Sequence, residues 1–373
     1  MSFDVSKLAA QPVLGIAPYV PGKPLEELER EYGIRDSIKL ASNENPLGPG
    51  PKAREAMRQA VDAVGLYPDG NGFALKQALA KKHGCDIACI TLGNGSNDVL
   101  VMLAEAFLTP ATEAIYSQYG FAVYPISIQA TGATARISNA LPANDSMPLG
   151  HDLGAMRALI NERTRLVFIA NPNNPTGTWL SADALEQFVR SAPRHVIVVV
   201  DEAYIEYAGG EFADASKWLG RYPNLVVTRT FSKAYGLAGL RVGYALSDPQ
   251  IANVLNRVRQ AFNVNSVALA AARAALDDSE HLQKSVAVNT AGLAQLRSAL
   301  AKLPVSVLPS AGNFLLIDCG RPAAPIYEAM LRQGVIVRPV GNYGLPNHLR
   351  VTVGTAEQNE RMVAAFAHAL RAT

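Results

Sequence analysis

The sequence predicts an α/β fold: a large doubly wound, mainly parallel sheet domain plus a smaller α+β domain. Three observations lead there. Short β-rich runs alternate with helical segments through the middle of the chain, as strands joined by crossover helices require. Two of those runs are apolar at consecutive positions, the pattern of strands buried on both faces of a parallel sheet. After about residue 250 the texture shifts to long Ala-rich helices followed by short strands, which reads as a smaller α+β unit.

Taken in order, residues 1 to about 21 contain Pro12, Pro18 and Pro21 with little periodicity, which suits an extended arm. From Pro51, a residue tolerated at a helix start, Ala53, Ala56, Met57, Ala60, Val61 and Val64 recur at helical spacing. Tyr67-Pro-Asp-Gly70 then reads as a turn. Strands are expected at Ala114-Ile-Tyr, Arg165–Ala170, His195–Val200 and Leu225–Thr228, with a helix from Ser181 to Val189 capped by Ser181. Leu293, Leu296, Leu300 and Leu303 share one helical face. Short strands follow at Asn313–Asp318, Val335–Arg338 and His348–Val353. The division expected is 1–45 for an arm and a segment of the small domain, 46–249 for the large domain and 250–373 for the small one.

Bulk properties narrow the function. A chain of 373 residues that is 49% hydrophobic can bury a large core. Thirty-four basic residues against 32 acidic ones leave a net charge of +2, which points to neither a nucleic-acid nor a membrane-surface partner. Cys85, Cys89 and Cys319 cannot all pair and lack the spacing of a zinc site, so they read as packed thiols and no metal is expected. The N-terminus shows no secretory pattern, and the run Val196–Val200 is far shorter than the roughly 20 residues of a membrane span. A soluble cytoplasmic protein is the expectation.

Four segments could carry chemistry. In Thr230-Phe-Ser-Lys-Ala-Tyr-Gly-Leu-Ala-Gly-Leu-Arg241, an amine at Lys233 stands among two hydroxyls, Thr230 and Ser232, and the guanidinium of Arg241. Such a set can hold a phosphate while the amine condenses with an aldehyde; a solvated loop lysine is the alternative. Asp201 ends an apolar strand, where α/β sheets place ligand groups, and a protonated pyridine nitrogen suits its charge. Tyr204, three residues on, could donate to a ring oxygen; otherwise Asp201 caps a helix and Tyr204 is core. Asn171-Pro-Asn-Asn-Pro-Thr-Gly177 must turn at the sheet edge and would fix Asn174 there. Gly93-Asn-Gly-Ser-Asn-Asp98 precedes the helical run Val99–Phe107, whose N-terminus suits a single phosphate better than a dinucleotide.

With these segments assembled, the chain resembles the fold-type-I pyridoxal-phosphate aminotransferases, and within them the histidinol-phosphate aminotransferase family. The likeness covers nearly the whole chain. It includes Pro18-Tyr-Val-Pro-Gly-Lys-Pro24, Lys39-Leu-Ala-Ser-Asn-Glu-Asn-Pro-Leu-Gly48, Tyr67-Pro-Asp-Gly70, Asn173-Asn-Pro-Thr-Gly177, Asp201-Glu-Ala-Tyr204 and Leu349-Arg-Val-Thr-Val-Gly354.

The resemblance implies that Lys233 holds pyridoxal 5′-phosphate as a Schiff base, that Asp201 pairs with the pyridine nitrogen and that Tyr204 and Asn174 contact the ring hydroxyl. Ser96, Asn97, Thr230, Ser232 and Arg241 would surround the phosphate, Tyr119 would stack on the ring, and Tyr67 would reach the phosphate of a neighbouring subunit in a homodimer. On the substrate side it implies Tyr19, Asn43, Arg338 and Arg350, with histidinol phosphate, 2-oxoglutarate and glutamate as the small molecules handled. An aromatic amino-acid aminotransferase and a threonine-phosphate type of decarboxylase on the same frame remain open. A regulator that keeps this fold for effector binding would need a DNA-binding module, for which the first 50 residues leave no room.

Overall fold

The computed structural model describes residues 3–19, 21–209 and 212–373. A short strand, β1 (Ile38–Lys39), leads into a seven-stranded sheet made of β2 (Ile90–Gly93), β3 (Glu113–Ser117), β4 (Thr134–Ser138), β5 (Thr164–Ala170), β6 (Ile197–Asp201), β7 (Leu225–Thr230) and β8 (Gly243–Ser247). Their order is β2-β8-β7-β6-β5-β3-β4. β4, β3, β5, β6 and β7 pair in parallel, and β8 runs antiparallel between β7 and β2.

Consecutive apolar residues in β5 and β6 follow from burial on both faces. Val167, Ile169, Val198 and Val200 join one core cluster, whereas Leu166, Phe168 and Val199 join the cluster on the opposite face. From β5 through β7 the sheet grows in one direction, while β3 and β4 extend it in the other. The switch in direction falls between β3 and β5, so crossover loops part there and leave a crevice at the carboxyl edge.

A second, antiparallel sheet has the order β12-β13-β10-β9, formed by β9 (Ser306–Val307), β10 (Phe314–Asp318), β12 (Arg338–Pro339) and β13 (His348–Thr352). β11 (Val335–Ile336) pairs in parallel with β1, which ties the N-terminal segment to the C-terminal part of the chain. Leu40 sits in the same core as Leu296, Leu300, Leu315 and Phe366. The helix Ser266–Ala275 instead buries Ala268, Ala271, Ala272 and Ala275 in the core of the large sheet. The small unit's own packing therefore begins with the helix Ser279–Leu300, some 30 residues beyond the division at 250.

Several local expectations are met. Ser181 caps the helix Ala182–Ser191 by accepting from the Ala184 amide, and Pro51 opens the helix Pro51–Val61. Others shift. The strand expected at His195 starts at Ile197 and extends to Asp201. The arm is not extended throughout: Gln11–Leu14 forms a helical turn, with Pro12 in the first turn where its missing N–H costs nothing. That turn is held to the body by Gln129, whose amide donates to the Pro12 carbonyl at 3.1 Å. Among the described residues, no helix is long and apolar enough to cross a membrane.

Candidate active site

At the carboxyl edge of the large sheet, one end of the crevice is a cup of donors. Gly95, with φ of +86°, is the N-cap of the helix Ser96–Phe107. A Cβ on Gly95 would lie 2.4 Å from Arg241 Nη2, and one on Gly243 would lie 2.3 Å from the Ser96 backbone nitrogen. Only glycine lets the helix start, the beginning of β8 and the guanidinium close to these distances. Asp98 steadies the turn by accepting from the Asn94 amide at 2.8 Å and from Asn263 Nδ2 at 2.9 Å.

Across the cup, Thr230 is the last residue of β7 and its Oγ1 accepts from the Ser232 amide at 3.1 Å. Arg241 Nη1 donates to Ser232 Oγ at 3.1 Å and to the Ala238 carbonyl at 3.0 Å. Ser96, Asn97, Thr230, Ser232 and Arg241 thus face one end of a cleft with about 910 Å³ of empty space, part of it open to solvent. A helix N-terminus, hydroxyls and a guanidinium in one cup fit a dianionic phosphate.

The middle of the cleft carries the ionisable groups. Asp201, at the end of β6, is buried; its Oδ2 accepts from Tyr124 Oη at 3.0 Å and its Oδ1 from Thr228 Oγ1 at 3.1 Å. Lys233 donates to the Ser42 carbonyl at 3.1 Å, and its amine stands 5.7 Å from the centroid of the Tyr204 ring. Burial, with the charge of Arg350 second, pulls the Lys233 amine down from 10.5 to about 7. A neutral amine is therefore present near neutral pH, as attack on an aldehyde requires. Tyr204 Oη accepts from Asn43 Nδ2 at 2.9 Å, and burial pushes this phenol up to about 12, so it stays protonated. Asn43, at φ of +55°, is anchored by Thr352 and Asn313, which reach its side chain and backbone.

The opposite wall comes from the small sheet. Arg350 Nη1 donates to Asn174 Oδ1 and Nη2 to the Ala41 carbonyl at 2.7 Å, while its buried Nε has no partner among the described residues. Arg338 is buried, with its guanidinium 5.6 Å from the Tyr19 ring. An amine, a carboxylate beside a donor cup and an unsatisfied guanidinium N–H form the donor and acceptor set that pyridoxal phosphate with an anionic substrate demands.

Thirteen of the residues read from the sequence thus line one cleft: Tyr19, Asn43, Ser96, Asn97, Asn174, Asp201, Tyr204, Thr230, Ser232, Lys233, Arg241, Arg338 and Arg350. Two do not. The aromatic side chain of the 117–121 segment at the cleft wall is Phe121, not Tyr119. Gly120 closes a turn onto the Ser117 carbonyl at 2.7 Å, and Tyr119 packs toward Leu308, Leu316, Val340 and Leu345. Tyr67 is 84% exposed and stacked on Phe262 at 4.7 Å, outside the cleft of its own chain. Tyr343, Ser42, Tyr124 and Thr228 belong to the site or its support and escaped the sequence reading. Thr228 alone had a signal, its position on the strand that follows Asp201 in chain order.

Comparison with known proteins agrees with this geometry. The family model for aminotransferase class I and II matches residues 35–366. Histidinol-phosphate aminotransferase 2 of Pseudomonas fluorescens is 56% identical over 373 residues, covering 99% of either chain. The Pseudomonas aeruginosa protein of that name is 55% identical, covering 98% of this chain and 99% of its own. Among solved structures, histidinol-phosphate aminotransferase from Sinorhizobium meliloti in complex with pyridoxal-5′-phosphate matches with a TM-score of 0.89 at 29% identity, over 97% of this chain and 98% of that one. Aspartate aminotransferase from Thermus thermophilus with maleate shares the fold at a TM-score of 0.83 and 22% identity, over 97% and 99%. With a family model spanning most of its length and relatives above half identity from end to end, the chain belongs to the class I and II aminotransferases, within the histidinol-phosphate aminotransferase group.

Proposed function

We propose that the chain is a pyridoxal-phosphate-dependent transaminase that moves the amino group of L-histidinol phosphate to 2-oxoglutarate, giving imidazole acetol phosphate and L-glutamate. The observation that carries the reading is Lys233, a half-buried amine pulled down to about 7 in the cleft it shares with the phosphate cup and the buried carboxylate of Asp201. Bound there, pyridoxal phosphate supplies an aldehyde that condenses with amines and a ring that accepts electrons from the substrate.

The chain's own residues supply the rest. Ser96, Asn97, Thr230, Ser232 and Arg241 would hold the phosphate end, and Asp201 would meet the ring nitrogen with a negative charge. Tyr204, oriented by Asn43, and Asn174 would contact the ring hydroxyl. Phe121, at the cleft wall, would take the ring-face role expected of Tyr119. Lys233 would be the base that moves the proton off the substrate α-carbon. Arg350 serves the phosphate ester of histidinol phosphate in one half-reaction and a carboxylate of glutamate in the other, since a guanidinium suits both. Arg338 and Tyr19 support the same anionic end. The two halves exchange an amine for a carbonyl oxygen, so no external oxidant or reductant enters.

A homodimer with shared sites is part of the reading. Val61, Val64, Leu66, Tyr67 and Phe262 leave apolar surface exposed, and a second copy would cover it and bring Tyr67 to its phosphate cup. Cys85, Cys89 and Cys319 are free thiols, which suits a reducing cytoplasm. A panel of histidinol phosphate, phenylalanine and threonine phosphate, assayed for glutamate formation from 2-oxoglutarate and for carbon dioxide, tests the whole. Histidinol phosphate should dominate; a dominant rate with phenylalanine would assign the aromatic activity instead, and carbon dioxide release would overturn transamination.

A further inference from the structure

We propose that Tyr124 and Thr228 are positioning residues for Asp201, whose two carboxylate oxygens their hydroxyls clamp so that the carboxylate is held in one orientation toward the cofactor's ring nitrogen. The inference rests on the reading of Asp201 given above and adds what holds that residue. Tyr124 lies on the helix Val123–Ala130, which follows β3 beside the switch point of the sheet. Its ring is fully buried and stacked on Phe168 of β5, centroids 4.9 Å apart and planes at 11°. From there its hydroxyl donates to Asp201 Oδ2 at 3.0 Å. Thr228 is the register partner of Asp201 across β6 and β7, and its hydroxyl donates to Oδ1 at 3.1 Å. An ionised carboxylate offers about four lone-pair directions, and these two hydroxyls meet one on each oxygen.

Two effects compete at this carboxyl group. Burial raises its pKa, while Tyr124, Thr228, the Ala203 amide and the charge of Lys233 lower it. Tyr124 is a dependable donor, because burial and the neighbouring Asp201, Tyr204 and Tyr343 hold its phenol well above the ordinary value. Removing one hydroxyl tips the balance toward a protonated Asp201, which no longer offers the ring nitrogen a negative charge. It also frees the carboxyl group to turn about its last torsion.

The test uses holoenzyme reconstituted with pyridoxal phosphate carrying ¹⁵N in the ring, with wild type, Tyr124→Phe, Thr228→Val, Thr228→Ser and Asp201→Asn compared. Tyr124→Phe keeps the stacked ring and removes only the hydroxyl; Thr228→Ser keeps the donor that Thr228→Val loses. Tyr124→Phe and Thr228→Val should each move the ¹⁵N titration of the ring nitrogen to lower pH. Each should also lower kcat by about 10- to 100-fold, the worth of one hydrogen bond to a charged group, with KM for histidinol phosphate within about twofold. Thr228→Ser should behave as wild type.

An unmoved ¹⁵N titration in the clamp variants, with Asp201→Asn impaired, overturns this inference alone. Asp201→Asn with wild-type titration and turnover would instead remove the reading of Asp201 on which it rests. If Tyr124→Phe fails to fold, the Thr228→Val and Thr228→Ser pair decides. A fall in kcat that follows a lowered melting temperature with the ¹⁵N signal unmoved shows packing only and also overturns it.

Discussion

Replacing Lys233 by methionine should stabilise the cofactor-free chain on the acid side of neutrality and lose that advantage toward pH 10. The amine is pulled from 10.5 to about 7 mainly by burial. Below about 7 the folded chain carries an ammonium ion in a poorly hydrated cleft; above 10.5 neither folded nor unfolded chain is charged there. Lys233 therefore contributes stability that is present above the unfolded value and lost as pH falls through about 7. At about 1.4 kcal/mol per pH unit over that interval the ceiling is about 5 kcal/mol, and water entering the open side of the cleft reduces it to about 2–3 kcal/mol. Urea unfolding of both cofactor-stripped proteins, from about pH 6 to about pH 10, gives the difference directly. The Lys233→Met advantage should shrink steadily as pH rises. Parallel stability curves would refute the claim that burial neutralises the amine, and with it the physical basis for Lys233 attacking an aldehyde near neutral pH.

Arg350→Lys keeps a positive charge but loses the fork that engages Asn174 and the Ala41 carbonyl; KM for 2-oxoglutarate and for histidinol phosphate should both rise about 10- to 100-fold in steady-state assays, with kcat less affected. Gly95→Ala places a Cβ 2.4 Å from Arg241 Nη2 at a backbone φ of +86°; the displaced guanidinium should weaken pyridoxal-phosphate binding by about tenfold, and unchanged cofactor retention on dialysis would count against the phosphate cup. Arg229→Met strips the buried Glu202 of two donors, Nε at 2.9 Å and Nη2 at 2.6 Å, and should lower unfolding free energy by about 3–5 kcal/mol in urea titrations. A smaller loss, under about 1 kcal/mol, would mean that the network in which Arg229 pairs with both Glu202 and Asp214 is well hydrated.

The cofactor half of the site was more legible in the sequence than the substrate half, and the reason is distance along the chain. Asp201 is read from the apolar run it terminates, Ser96 and Asn97 from the glycines that precede a helical period, and Lys233 from hydroxyls within three residues of it. Each signal is local. Tyr124 has none: its partner Asp201 lies 77 residues away, and nothing around it separates a clamp from an ordinary core tyrosine. Tyr119 and Phe121 flank one glycine, and only the packing of Leu308, Leu316 and Val340 decides which of them turns away from the cleft. Arg338 and Arg350 show most clearly what long-range register adds. They are direct partners across β12 and β13, so two buried guanidiniums project from one face of the small sheet. Like charges directly opposite one another on a sheet are unfavourable, and burial first, with the charge of Arg338 adding to it, lowers the pKa of Arg350. An anion seated between them would relieve that repulsion, and the phosphate ester and the carboxylates proposed as alternating occupants both supply one. The pair thus favours binding of an anionic end without distinguishing its chemistry, as a transaminase that serves two unlike substrates from one cleft requires.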